Sequence, residues 1–547
     1  MDIFNKGNVL DYINKFSKKN AYILLATMVF GLVLALSEVV MRSYYNISPL
    51  SHTLNPLIHG VLLSAIMLFS RSKIVSVLFL IFISFIYSVQ YSNLAYFGYW
   101  ASSMDVWLLF EKINEVTQAG ASVIRYQIVS MLMISLIVVA SLFILWMRKE
   151  VSNKKGWVSV LGVILILFYP IKMTIDKNIT LGRLPNVKHS VVKTSLYTLG
   201  YFISHTLPEE ILGYSKVAST VRSAPERISP IMSENIIVVM GESLSSSYMS
   251  AYGFNKATTP WLDKEIKKPN RFISNGFSGG LFTDVSVPFF FNIIEKPNAR
   301  KQISQGNTNL FRLAKEQGYK THFYSAQMSS GLSFISMLGK QWIDKYHDSL
   351  SFTHDVNVPV DDKELVTWLS NASLGDKNFI VLNQNGSHEP YIDRSPLDKK
   401  IFGQDGLYNE YLNSVYYTDE VLKNIQQVIE TLPGTWTLIF TSDHGQNVTH
   451  TSAGKGSFTH LNNYLVPVYI ASNKNAVIEL TNKRFGSCKR TFQVQLSGLI
   501  SEFMGYKNNN TSCDIGFVSG KRLTGNSGYM KLTRESNDEY IKEVLYQ

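Results

Sequence analysis

The first third of the chain limits most tightly what it can fold into. Five apolar segments, at roughly 21–41, 56–70, 74–97, 126–147 and 157–175, follow one another before residue 176. A hydrocarbon core of about 30 Å takes about 20 helical residues to cross. Most of the five are that long; the second is short and is expected to begin near Leu54 or to tilt. The chain of 547 residues is too long for one ordinary domain. We therefore expect five spanning helices over 1–176, a linker over 177–230 and a globular domain over 231–547. No cleavable signal peptide is expected, because Asp2 and Asp11 interrupt the N-terminal region and no small-residue cleavage site follows the first apolar run.

Lysine and arginine set the expected orientation. Lys6, Lys15, Lys18 and Lys19 precede the first segment, Arg71 and Lys73 follow the second, and Arg148, Lys149, Lys154 and Lys155 follow the fourth. The opposite loops carry only Arg42, Lys112 and Arg125. The N-terminus is thus expected in the cytoplasm and everything after about residue 176 outside. Between the third and fourth segments, "YWASSMDVWLLFEKINEVTQAGASV" is amphipathic rather than spanning. Trp100, Trp107, Leu108 and Phe110 suit a membrane interface. The stretch reads either as a short connecting helix or as a lipid-facing helix with a substrate role.

Beyond the linker, apolar runs alternate with helical stretches. "NIIVVMGES", "NFIVLNQNGSH", "TWTLIFTSDHG" and "YLVPVYIAS" read as strands; "YNEYLNSVYYTDEVLKNIQQVIET" reads as a helix. This pattern predicts an α/β domain with a mostly parallel central sheet flanked by helices. Ligands bind such sheets beyond the carboxyl ends of the strands. The residues found there are Glu242 and Ser243, then Ser387 and His388, then Asp443 and His444.

Two carboxylates and an imidazole without a thiolate suit Zn2+, with Mn2+ as a second choice. Taken singly, "DHG" is commonly a turn, and "GES" a strand-to-helix junction with Ser243 as N-cap. Three protein ligands leave one position of a catalytic zinc open. Thr283, in "GGLFTDVSVPFFF", offers a hydroxyl that a metal would make more acidic. "TDVSVPFFF" is expected to open a helix, whose free N–H groups suit a phosphate oxygen; Thr283 reads equally as a plain helix cap. His388 and His460 read as phosphate contacts, proton donors or second-metal ligands, or as structural loop histidines.

The net charge of +11 fits membrane-flanking lysines or an anionic partner such as a phospholipid or lipopolysaccharide. Nucleic acid is excluded as a partner, since no basic run with interleaved aromatics lies in a soluble segment. Cys488 and Cys513 are the sole cysteines, too few for a cysteine zinc ribbon or a disulfide scaffold. They read as one bridge or as two free thiols.

In this order, "NIIVVMGES…AYGFNKATTPWLD", "FTDVSVP", "NGSHEPY", "YYTDEVL", "SDHG" and "H…VP" resemble the phosphoethanolamine transferases of Gram-negative inner membranes, within the alkaline phosphatase and sulfatase superfamily. The resemblance spans the whole chain. It implies an α-helical membrane domain and an alkaline-phosphatase-like periplasmic domain. It implies Glu242, Asp443 and His444 as zinc ligands, with Thr283 as metal-bound nucleophile and His388 and His460 at the transferred phosphate or a second zinc. The implied donor is phosphatidylethanolamine, the acceptor a lipopolysaccharide or lipooligosaccharide, and the mechanism ping-pong, with a monomer expected. Glu111, Asn114, Glu115 and Thr117 match the family's donor-lipid loop loosely.

The chain departs from the lipid A branch in its cysteines. Positions flanking the nucleophile segment hold glycine or phenylalanine, which favours an acceptor among core sugars or periplasmic glucans. Two neighbouring families are the alternatives. Sulfatases carry C/S-x-P-x-R, which "SAPER" at Ser223–Arg227 fits formally, though it precedes the first strand and so reads as linker. Phosphoglycerol transferases share five spans and the same ligand set, often with Mn2+.

Overall fold

The computed structural model describes residues 6–113, 124–148, 156–175, 185, 188–213, 215, 217–450, 452–508, 512–535 and 539–545. The chain divides into two compact units, Met1–Ile211 and Leu212–Gln547.

The first unit is helical. Among the described residues, four helices have the length and composition to cross a membrane: Ala21–Tyr44 within Lys6–Tyr44, Lys73–Phe97, Ile128–Met147 and Gly156–Ile175. The second expected span is a helix of 15 residues, Asn55–Phe69. At 1.5 Å per residue it falls short of the hydrocarbon thickness. Leu54 does not extend it: Pro56 holds the first turn, and the chain before it is a turn. Large apolar side chains such as Leu32, Val139, Trp146 and Phe168 point outward, as lipid-facing surfaces require.

Three expectations for this unit change. Arg42 is not a loop charge. It closes the last turn of the first helix, where its guanidinium donates to Glu38 at 2.8 and 3.0 Å and to the carbonyls of Ser48 and His189 at 2.7 Å each. Both side chains are buried, so the pair neutralises itself rather than marking a side of the membrane. Trp100 is fully buried in the helical core and does not face outward. The segment taken as linker contributes a helix, Val191–Tyr201, whose Val191, Val192 and Leu196 join that core. Its buried Thr194, Ser195 and Thr198 lower its hydropathy and hide the apolar face from the sequence. In the interfacial loop the chain forms the helix Ser103–Glu111, capped by Ser102 and Asp105. Glu111 ends it, while Asn114, Glu115 and Thr117 lie outside the described residues.

The second unit is built on one sheet. Its strands are β1 (Asn235–Gly241), β2 (Arg271–Phe277), β3 (Lys320–Ser325), β4 (Lys345–His347), β5 (Asn378–Asn383) and β6 (Trp436–Ser442). A two-residue pair follows, β7 (Asn447–Val448) with β8 (Ala453–Gly454), and then β9 (Leu465–Ser472) and β10 (Thr491–Phe492). The eight-stranded order is β10-β2-β9-β6-β1-β5-β3-β4. β1, β5 and β6 bury every residue, as strands covered on both faces must. β9 runs antiparallel to both β2 and β6. Its start therefore lies at the edge where its neighbours end. A second sheet, β11 (Ile515–Ser519), β12 (Tyr529–Arg534) and β13 (Tyr540–Leu545), closes the unit. Cys488 and Cys513 are bridged.

Candidate metal and nucleophile site

Parallel pairing of β1 with β6 sets Gly241 opposite Ser442. The next residues, Glu242 and Asp443 with His444, leave the sheet side by side. Ser243 does not cap a helix. It takes a left-handed turn, φ 56°, that points its N–H at Asp443 Oδ1 at 2.8 Å and its hydroxyl at Glu242 Oε1 at 2.7 Å. His444 N–H also donates to Asp443 Oδ1, at 2.7 Å. One oxygen of Asp443 is thereby occupied and the other, Oδ2, faces inward.

The nucleophile candidate arrives from β2. After Phe277 the chain turns through Gly279 and Gly280, and Thr283 is the first residue of the helix Thr283–Phe291. Gly280 is required there: a Cβ would sit 2.6 Å from Val285 Cγ1 and 3.1 Å from Ser286 N. The Thr283 hydroxyl does not cap the helix. It donates to Asp443 Oδ2 at 2.7 Å and lies 3.3 and 3.5 Å from the Glu242 oxygens.

His444 completes the cluster. Its Nδ1–H donates to the Gly445 carbonyl at 2.8 Å, which leaves Nε2 with its lone pair exposed to the site. That nitrogen lies 3.1 Å from Asp443 Oδ2 and 3.7 Å from Glu242 Oε1, is buried, and has no hydrogen-bond partner. Burial holds the imidazole at about 4, so it is neutral at physiological pH. Burial and the Asp443 charge push the Glu242 carboxyl well up. Burial acts the same way on Asp443, but the neighbouring His444 and Lys455 and the hydrogen bonds it accepts hold it below its ordinary value. Two buried carboxylates and an orphaned imidazole nitrogen form a donor set short of positive charge. One ligand atom from each lies within 4.8 Å of the others, so the three fit one divalent ion.

The remaining candidates stand further out. His388 is exposed, its Nδ1–H donating to the Glu389 carbonyl at 2.6 Å, and its ring feels the charges of Arg394, Lys455 and Asp443. His460 is exposed before β9 and shares a shallow pocket with Asn447, Asn463 and Lys542. Among the described residues no hydrogen bond joins its ring to the three ligands. Ser223–Arg227 lies before β1 and holds no part of the site.

Gln327 carries no mark in the sequence. It follows β3, and its amide donates to Glu242 Oε2 and to the Gln384 carbonyl, each at 2.9 Å, fixing the carboxylate's rotamer. Lys455 sits between Gly454 and Gly456 after β8, and its charge reaches Glu242, Asp443 and His444. An interleaved signal of small residues around a lone lysine could have singled it out; nothing local could have found Gln327.

With this geometry in hand, comparison with known proteins defines the class. Residues 234–496 match the Sulfatase family model. The chain is similar to the putative transferase YhbX of Escherichia coli K12, 25% identical over 262 residues, covering 46% of this chain and 44% of that protein. It is similar to phosphoethanolamine transferase EptA of Helicobacter pylori, 27% identical over 256 residues, covering 42% and 45%. The matches thus span about half the length of these relatives. The integral membrane lipooligosaccharide phosphoethanolamine transferase A of Neisseria meningitidis shares the fold, with a TM-score of 0.55 at 16% identity over 90% of this chain and 96% of that one.

Proposed function

We propose that this chain is an inner-membrane enzyme that moves phosphoethanolamine from phosphatidylethanolamine to a lipopolysaccharide-type acceptor, with its second unit in the periplasm. The observation that carries this reading is the Thr283 hydroxyl, held 2.7 Å from Asp443 Oδ2 inside the carboxylate–imidazole cluster. The names of the relatives support the transferred group and, for the Neisseria protein, the acceptor.

In the first half-reaction the Thr283 oxygen attacks the donor's phosphorus. The bond from phosphorus to the glycerol oxygen breaks, and diacylglycerol leaves as the alcohol with the threonine proton. In the second, an acceptor oxygen attacks the phospho-threonine, and Thr283 leaves and regains a proton. Splitting the transfer lets one site serve two bulky substrates in turn. Glu242, Asp443 and His444 would hold a zinc ion, whose charge makes the threonine hydroxyl more acidic and offsets charge on the phosphoryl oxygens. Ser243 and Gln327 orient the carboxylates, while His388 and His460 contact the transferred phosphate. The loop that carries Glu111, Asn114, Glu115 and Thr117 receives the donor lipid. The cysteine pattern favours a core sugar or a glucan over lipid A.

Release of diacylglycerol from labelled phosphatidylethanolamine tests the reading. Thr283→Ala abolishes it while metal content stays near one per chain; Thr283→Ser keeps a measurable fraction. Full activity in Thr283→Ala contradicts the covalent route.

A further inference from the structure

Three basic side chains of the helical unit have no part in the catalysis proposed above. Lys172 stands near the end of the helix Gly156–Ile175 and is exposed among the outward-facing Phe168, Ile171 and Ile175. Lys193 stands in the first turn of the helix Val191–Tyr201 and is half-buried. His189 comes just before that helix. The two helices pack closely, since a Cβ at Gly200 would sit 2.8 Å from Pro170 Cα. The charge of Lys172 bears on Lys193, and that of Lys193 on His189. Among the described residues no carboxylate pairs with any of the three, and His189 Nδ1 is buried without a hydrogen-bond partner.

The backbone that carries His189 and Lys193 is held from the interior of the unit. Arg42 donates to the His189 carbonyl at 2.7 Å, and Val191 N donates to Glu38 Oε2 at 3.2 Å. Lys193 N donates to Ser190 Oγ at 3.4 Å, and that hydroxyl lies 3.0 Å from His59 Nδ1. The other ring nitrogen of His59 lies 3.1 Å from the Tyr169 hydroxyl. Glu38, Arg42, His59 and Ser190 are all buried. A buried ion pair is poor evidence of stability in itself; here it fixes the turn from which His189 and Lys193 project. The Tyr197 ring lies beside both, its centroid 5.7 Å from Lys193 Nζ and 5.8 Å from the His189 ring.

Charge and position say what such a group is for. Lys172 lies within one turn of the end of its helix, so its long stem can carry the ammonium to the level of lipid headgroups. Lysine at a helix end marks topology on the cytoplasmic side. On the orientation expected from the sequence, this end faces the periplasm, so topology does not account for it. A lysine held partly out of water gains most when an anion joins it. The anion found at this depth of a bilayer is the phosphate of a lipid, and basic groups between membrane helices take such headgroups.

We propose that Lys172, Lys193 and His189 form a seat for the phosphate of a membrane phospholipid between the helices Gly156–Ile175 and Val191–Tyr201. The lysines neutralise the phosphate and His189 Nδ1 offers it a hydrogen bond. The apolar side chains exposed around Lys172 give the acyl chains a surface, which favours a lipid over free phosphate. The seat belongs to the first unit alone and holds whether or not Thr283 carries the transferred group.

The test uses the full-length protein in detergent, freed of co-purified lipid and titrated with phosphatidylglycerol, with bound lipid counted by native mass spectrometry. Affinity is expected to fall about fivefold in Lys172→Gln and about twentyfold or more in Lys172→Gln with Lys193→Gln, while Lys193→Arg stays near the parent. Diacylglycerol, which lacks the phosphate, is expected not to displace the lipid. Melting temperature serves as the control for folding. Lys172→Gln changes an exposed side chain and keeps the test decisive where Lys193→Gln unfolds. Equal affinity in the parent and in both lysine-to-glutamine variants overturns the seat, and so does displacement of the lipid by diacylglycerol. Displacement by inorganic phosphate at the same concentration overturns a lipid as the occupant.

Discussion

At the scale of single residues, the site works through side chains that hold other side chains. Glu242 is usable only in one rotamer, and Gln327 sets it from across the sheet. Gln327→Leu keeps the volume and removes the donor. Zinc affinity, measured by competition with a chelator, is expected to fall roughly 10- to 100-fold, as for other residues that orient a ligand. Unchanged affinity would mean that Ser243 alone positions the carboxylate. The contrast with Glu242 and Asp443 shows what a sequence can reveal. Those two stand directly after fully buried apolar strands, so a strand end followed by a ligand-type residue identifies them. Gln327 reaches the site only because a remote loop folds back to it, and no local pattern records that approach.

At the scale of elements, the site depends on strand direction. β1, β2 and β6 end at one edge, and antiparallel β9 begins there. The mostly parallel sheet was legible because continuous apolar runs separated by helices admit little else. The reversal of β9 was not, because a buried strand reads alike in both directions. The turn after β5 is held as tightly as the nucleophile turn. Gly386 has φ 52°, its N–H donates to Asp362 Oδ2 at 2.9 Å, and a Cβ there would sit 2.8 Å from the Glu242 carbonyl oxygen and 2.9 Å from its nitrogen. Gly386→Ala must displace Glu242 or the turn. We expect about 1–3 kcal/mol of destabilisation in denaturant unfolding and loss of most diacylglycerol release. A variant as stable and active as the parent would show that this backbone contact does not hold the metal ligand.

At the scale of the whole molecule, hydropathy revealed the helical unit but misjudged its borders. The 15-residue helix Asn55–Phe69 and the hydroxyl-rich helix Val191–Tyr201 fall on either side of a hydropathy criterion that sees composition and not burial. The bridge between Cys488 and Cys513, 25 residues apart, joins the approach to β10 with the approach to β11. Cys513→Ser is expected to lower the stability of the second unit by about 3 kcal/mol, the closure entropy of a loop of that length. Reduction of the parent should lower its melting temperature to that of the variant. Equal melting temperatures with and without reductant would show that the bridge adds no stability.

The central claim is that Thr283 carries the transferred group. The purified protein is incubated with zinc and phosphatidylethanolamine, without acceptor, and peptide masses are taken across residues 271–300. The account predicts a phosphoethanolamine adduct on Thr283. A glycerophosphate adduct formed with phosphatidylglycerol in its place would move the chain to the phosphoglycerol transferases, and no adduct with either lipid would contradict the covalent mechanism.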